Sequence, residues 1–236
     1  MTAGPRLRIG ARAPASALSV RSALAAAVSL AALAAWPAGA LAQGTGAYAQ
    51  RYAEQCASCH GPRGTSEMAL VPHLGGQPSF YAITQLFLFR EGRRNDHPMA
   101  QAMSALAKGM NDTDLRGFSD HIATLPPPAG GGAGPRDAAR FARGQALANK
   151  HHCTGCHGGD LAGGRQVPRV GGQREDYLLI ALKGFRSGVR LGYTNAMGEA
   201  LAGLGEADLD DLAHFMAHAG PAGAASPSAP ASGGGR

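Results

Sequence analysis

Cys56-Ala57-Ser58-Cys59-His60 and Cys153-Thr154-Gly155-Cys156-His157 decide how this sequence is read. The two stretches share one spacing and use all four cysteines of the 236-residue chain. Residues three and four apart lie on one face of a helix, so both thiols and the following imidazole can be offered together. Cys-x-x-Cys-His is the attachment signature of haem c, with thioethers to the porphyrin and the histidine on the iron. A four-thiolate zinc site is the main rival for paired Cys-x-x-Cys motifs, but it would leave His60 and His157 idle. A redox disulfide calls for a thioredoxin-like βαβ setting, which neither stretch has. The expectation is two covalently bound haem c groups with their irons, held by Cys56, Cys59 and His60 and by Cys153, Cys156 and His157.

The N-terminus places this chemistry outside the cytoplasm. Residues 1–42 carry Arg6, Arg8, Arg12 and Arg21 and no acid, then an apolar run from Ala23 to Trp36, Pro37 and the small-residue site Ala40-Leu41-Ala42. That order is a secretory signal with cleavage predicted after Ala42. The run falls short of the roughly 20 residues a membrane span needs; an uncleaved anchor is the alternative. The formal charge of +6 invites a nucleic-acid reading, but the four signal arginines account for most of it. The remaining 18 Lys+Arg face 16 Asp+Glu. No nucleic-acid partner is expected.

The chain repeats itself at an offset of about 95 residues. Leu74-Gly75-Gly76-Gln77 with Tyr81 recurs as Val170-Gly171-Gly172-Gln173 with Tyr177. Phe89-Arg90-Glu91-Gly92-Arg93 recurs as Phe185-Arg186-Ser187-Gly188-Val189-Arg190, and Asp112-Thr113-Asp114-Leu115 as Glu206-Ala207-Asp208-Leu209. The predicted organisation is a signal over 1–42, a first domain over 43–125, a Pro/Gly linker over 126–136, a second domain over 137–219, and an Ala/Ser/Pro/Gly tail over 220–236 whose composition predicts disorder. The fold class is all-α. First helices are expected over Ala47–Cys59 and Asp137–Cys156, the latter capped by Asp137. Apolar spacing predicts helices over Ser79–Arg90 and Glu175–Arg186, with closing helices from Thr113 and near Glu206. No segment alternates as a strand would. Domains of this size bury little surface alone, and a chain rich in Gly and Ala has few large side chains, so a tethered porphyrin is expected to centre each core.

The second axial ligand decides what such an iron can do, since methionine opposite histidine fills the coordination sphere and raises the potential. Aligning Met110-Asn111-Asp112 with Leu204-Gly205-Glu206 sets Met103 against Met197. Met197 stands alone between His157 and the last helix. In the first half Met103 is selected and Met99 is the alternative. Met110 and Met216 read as core and Met68 as loop. Among the remaining histidines His97 stands out, because it lies in the predicted methionine loop.

Over residues 45–219 these features together resemble the dihaem class I cytochromes c, especially the cytochrome c-four group. The resemblance implies two cytochrome c domains, His/Met irons at His60/Met103 and His157/Met197, a periplasmic location and outer-sphere transfer of single electrons. It implies transient redox partners: a membrane-bound donor complex, a terminal oxidase or a dehydrogenase, with loose membrane association possible. Two alternatives stay open. One is a haem-relay subunit of a larger dehydrogenase or oxidase. The other is a dihaem peroxidase or thiosulfate-oxidising enzyme, which needs an iron open to substrate.

Overall fold

The computed structural model describes residues 39–129, 134–190 and 194–220, with side chains from Gly46 onward. Residues 1–38 of the predicted signal and 221–236 of the predicted tail lie outside them. Both cysteine motifs belong to one compact unit of the chain. Among the described residues all regular structure is helical apart from one isolated bridge, Gly164–Val167. No helix there is long and apolar enough to cross a membrane.

The helices are α1 Gly39–Gln55, α2 Ala57–His60, α3 Ser79–Arg90, α4 Pro98–Ala107, α5 Asp112–Thr124, α6 Ala138–Lys150, α7 Cys153–His157, α8 Glu175–Ser187, α9 Ala196–Ala200 and α10 Glu206–His218. They fall into two like sets of five. In the first, α3 packs on α4 and α5; in the second, α8 packs on α9 and α10, and α6 lies along α10. The first helices do not run through the cysteine motifs as expected. α1 ends at Gln55, and α6 ends at Lys150 before His152 adopts φ 55. Each motif histidine therefore ends a short helix of its own, α2 beginning after Cys56 and α7 at Cys153. The methionine loops contain helices as well, α4 and α9, started by Pro98 at the first turn and by Asn195.

Local caps follow the repeat. Asp137 accepts from the Ala139 and Arg140 amides to start α6, as expected of an N-cap. Asn111 and Asp114 exchange hydrogen bonds at the start of α5, and the Asp208 carboxylate takes the Gly205 amide at the start of α10. Each half has its own core: Tyr52, Leu86, Phe89, Leu115, Phe118 and Ile122 in the first, and Leu178, Leu182, Leu209, Leu212, Phe215 and Met216 in the second. Met110 lies in the first core, and Met68 is exposed.

Close helix crossings hold both cores. A β-carbon on Gly144 of α6 would strike the Asp211 carbonyl and Phe215 of α10, and one on Gly117 of α5 would strike the Tyr48 ring of α1. Ion pairs flank both crossings: Arg51–Asp114 at 2.5 Å and Arg143–Asp211 at 2.6 Å. His214 is buried between α6, α8 and α10. Its Nε2 accepts the Asp137 amide at 3.0 Å, so the proton is on Nδ1, facing Glu175 at 2.9 Å. Glu175 also pairs with Arg140 at 2.8 Å. The Glu175, His214 and His218 side chains, close enough together to bind a metal, are thus already committed to one another and to Arg140.

Gly144→Ala is expected to destabilise the haem-loaded protein by about 1–3 kcal/mol, the usual cost of overpacking. Gly134→Ala, where a β-carbon meets nothing within 4 Å, should be silent. Urea unfolding followed by circular dichroism makes the comparison.

Candidate haem site

Both cysteine motifs open onto one continuous cavity of about 680 Å³. No two of the four cysteines are joined to each other, and Cys56, Cys59, Cys153 and Cys156 line its wall together with His60 and His157. Burial pushes the Cys56 thiol up to about 11 and raises Cys153 also, so neither is an activated thiolate. Gly61 and Gly158 follow the histidines with φ 77 and 84, so the backbone leaves the wall directly after each imidazole.

The two imidazoles are held alike. His60 Nδ1 lies 3.0 Å from the Pro72 carbonyl and His157 Nδ1 2.9 Å from the Pro168 carbonyl. A carbonyl only accepts, so Nδ1 carries the hydrogen in both rings and Nε2 keeps its lone pair. A bond of this kind fixes tautomer and orientation in metal-binding histidines. Burial lowers both imidazole pKa values, and the carbonyl bonds oppose this only in part; the rings stay neutral, as a metal ligand must be.

Met103 and Met197 both line the cavity and pack against the core of their own half. Met99 reaches the cavity without joining that core, and Met110 reaches it from within the core. His97 is the N-cap of α4, is buried and lines the cavity, with no hydrogen-bond partner at either ring nitrogen. The donors, an apolar wall and two oriented lone pairs fit two covalently bound haems.

The repeated glutamines join the halves. Gln77 donates to the Arg169 carbonyl at 2.8 Å and accepts the Arg169 amide at 3.1 Å. Gln173 does the same with His73, at 2.8 and 2.7 Å. His73 and Arg169 occupy the same place in the repeat, so the two clamps are related by a pseudo-twofold. Asp176 of α8 adds a bond to the Leu70 amide at 2.9 Å. The linker also begins in contact: the Pro126 carbonyl lies over Gly75, leaving no room there for a β-carbon.

The cytochrome c family model matches residues 47–126 and again 141–220. The chain belongs to the cytochrome c family. Its relatives place this cytochrome with the dihaem cytochrome c4 type. It is 30% identical to cytochrome c4 of Azotobacter vinelandii over 63% of this chain and 76% of that protein. It is 28% identical to a thiosulfate dehydrogenase electron acceptor of Stutzerimonas stutzeri, over 70% and 79% of the two chains. The crystal structure of reduced cytochrome c4 from Pseudomonas stutzeri superposes with a TM-score of 0.65 at 26% identity, covering 74% of this chain and 98% of that one. The cytochrome is thus a dihaem electron-transfer protein of two tandem domains, carrying two covalently bound haem c groups with iron.

Cysteine spacing and repeat alignment marked the thiols, imidazoles and methionines. They did not mark the Pro72 and Pro168 carbonyls or the targets of Gln77 and Gln173. The one signal present was that Pro and Gly-Gly-Gln recur at matching positions. Replacing Gln173 with Ala leaves the half-buried His73 amide and carbonyl without this partner. It is expected to cost about 1–3 kcal/mol and to speed hydrogen exchange at His73, read by mass spectrometry of the haem-loaded protein.

Proposed function

We propose that this cytochrome is exported to the periplasm and there relays single electrons through two His/Met irons. The residues assigned are Cys56, Cys59, His60 and Met103 in the first domain and Cys153, Cys156, His157 and Met197 in the second. The observation that carries the assignment is that a methionine packed into each core shares the cavity wall with an imidazole whose Nε2 is free to ligate. Bound there, haem iron supplies a one-electron couple between the ferrous and ferric states.

The chain's own residues do the rest. The Pro72 and Pro168 carbonyls orient the imidazoles. The thiols, once joined to the porphyrin, keep it in place through both oxidation states. Met103 and Met197 would supply the second protein ligand to each iron, which would leave substrates such as peroxide no open coordination site. The apolar wall keeps water away and favours the ferrous form by disfavouring the extra positive charge on the metal. Such a site exchanges electrons with docked redox proteins through small, short-lived interfaces.

The relative named as a thiosulfate dehydrogenase electron acceptor favours a more specific second reading. In it, the donor is a sulfur-oxidising dehydrogenase and the cytochrome is its relay towards a terminal oxidase.

Purified from the periplasm, the ferric protein should contain two haems per chain and show the far-red charge-transfer band of a methionine–iron bond. Met103→Ala and Met197→Ala should each remove about half of that band and admit carbon monoxide to one ferrous haem, while Met99→Ala leaves both readings unchanged. Loss of band intensity in Met99→Ala instead would move the first ligand to Met99. Ready binding of carbon monoxide by the unaltered protein would favour an enzyme.

A further inference from the structure

A second hollow, of about 540 Å³, lies on the first domain between α3 and α5. Ile83 and the buried Leu88 and Leu115 line it, and Phe80 and Phe87 border it with 52% and 41% of their surface exposed. Large apolar side chains gathered in water mark a surface that another molecule covers. Three guanidiniums, Arg90, Arg93 and Arg116, share this groove with one carboxylate, Asp112. Arg90 is held by Asp112 at 2.7 Å and Glu91 at 3.0 Å, and lies over the Phe87 ring at 5.4 Å. Arg93 and Arg116 are exposed, and neither guanidinium has a partner among the described residues.

The second repeat keeps none of this. Phe80 and Phe87 become Asp176 and Lys183, and Arg93 and Arg116 become Val189 and Asp210. The cations left on that face, Lys183 and Arg186, both pair with Glu206, and Asp176 pairs with Arg174. The shared fold therefore does not account for the groove. The chain's own ends do not complement it either, because residues 1–38 and 221–236 contain arginines and no acid. A second copy is no better suited, since Asp176 and Glu206 on the matching face are already paired. What the groove lacks is an apolar side chain flanked by carboxylates.

The other side of α3 faces the haem cavity. Ala82, Leu86 and Phe89 line that cavity, and Thr84 lines both the cavity and the groove. At Thr84 a single helix, about 10 Å across, separates the two spaces. We propose that this groove is where the first domain docks an acidic one-electron redox protein. The partner presents carboxylates to Arg93 and Arg116 and an apolar side chain to Phe80 and Phe87. The inference rests on the electron-carrier reading above and gives it a partner surface on one domain only. Opposite charges speed the encounter, and aromatic rings with arginine are what interfaces select. When the partner is the acceptor, one electron leaves the ferrous iron of the first domain for the partner's oxidised centre. No bond forms and no proton moves.

The test mixes the reduced, haem-loaded protein in stopped flow with cupric plant plastocyanin, an acidic copper protein, as the probe. Salt is held at 0.1 M, where exposed charges more than about 10 Å apart are largely screened. Reversing both free guanidiniums, Arg93→Glu with Arg116→Glu, should slow electron transfer about tenfold. Phe87→Ser leaves the charge unaltered and should raise the half-saturating plastocyanin concentration severalfold. Lys183→Glu reverses a charge at the place of Phe87 in the second domain and should change neither quantity. The replaced side chains reach solvent, so every variant should keep the haem absorption spectrum. Transfer that the Phe87 and arginine variants leave unchanged would overturn the docking site while the electron-carrier reading stands. A Phe87-dependent dimer in analytical ultracentrifugation would overturn it in favour of a second copy. Phe87-dependent binding to phosphatidylglycerol vesicles, with transfer unaffected, would overturn it in favour of a lipid surface. Unaltered protein that passes no electron to plastocyanin would end the reading and the inference together.

Discussion

Each half of this cytochrome is built around a space that its own side chains do not fill. The chain is rich in Gly and Ala, and the largest side chains of each core sit on one side of a cavity of about 680 Å³. Voids of that size are absent from ordinary interiors, which pack like organic crystals. The porphyrins are therefore structural as well as chemical: their apolar faces complete both cores, and the thioethers keep them there irrespective of the metal's charge. The rest of the architecture can be understood as support for that filled space.

The support comes from two sides. Within a domain, α5 and α10 lie so close to the preceding first helices that Gly117 and Gly144 tolerate no side chain. Between domains, Gln77 and Gln173 each bind backbone of the opposite half. The backbone each clamps runs next to the proline whose carbonyl holds an imidazole: His73 follows Pro72 and Arg169 follows Pro168. Each domain thus steadies the motif histidine of the other. Domain docking and the proposed iron ligation are linked through one residue's length of chain.

This division explains which features could be read from sequence. Cysteine spacing, the cap at Asp137 and core periodicity depend on neighbours a few residues away, and all were legible. Met103 and Met197 were singled out because a repeat compares each half with the other, and both line the cavity. The breaks before Cys56 and Cys153 were not, because no local pattern marks His152 for a left-handed turn. Helix α4 was not foreseen, because its segment was assigned to a ligand loop. Gln77 and Gln173 were visible as repeated letters whose partners lie about 95 residues away. A repeat shows that a position matters in each half; only the folded chain shows that such positions face one another.

Two differences between α3 and α8 replace exposed aromatic rings. Phe80 and Phe87 of α3 are exposed, and their counterparts in α8 are Asp176 and Lys183. Asp176 is used at the junction, bonding the Leu70 amide and pairing with Arg174 at 2.8 Å; Lys183 pairs with Glu206 at 2.7 Å. Inward, Tyr81 and Tyr177, Phe89 and Phe185, and Arg94 and Arg190 keep their identities. Identity at these three pairs is what a shared cavity favours: a side chain on its wall answers to both domains, and one on the outside to its own.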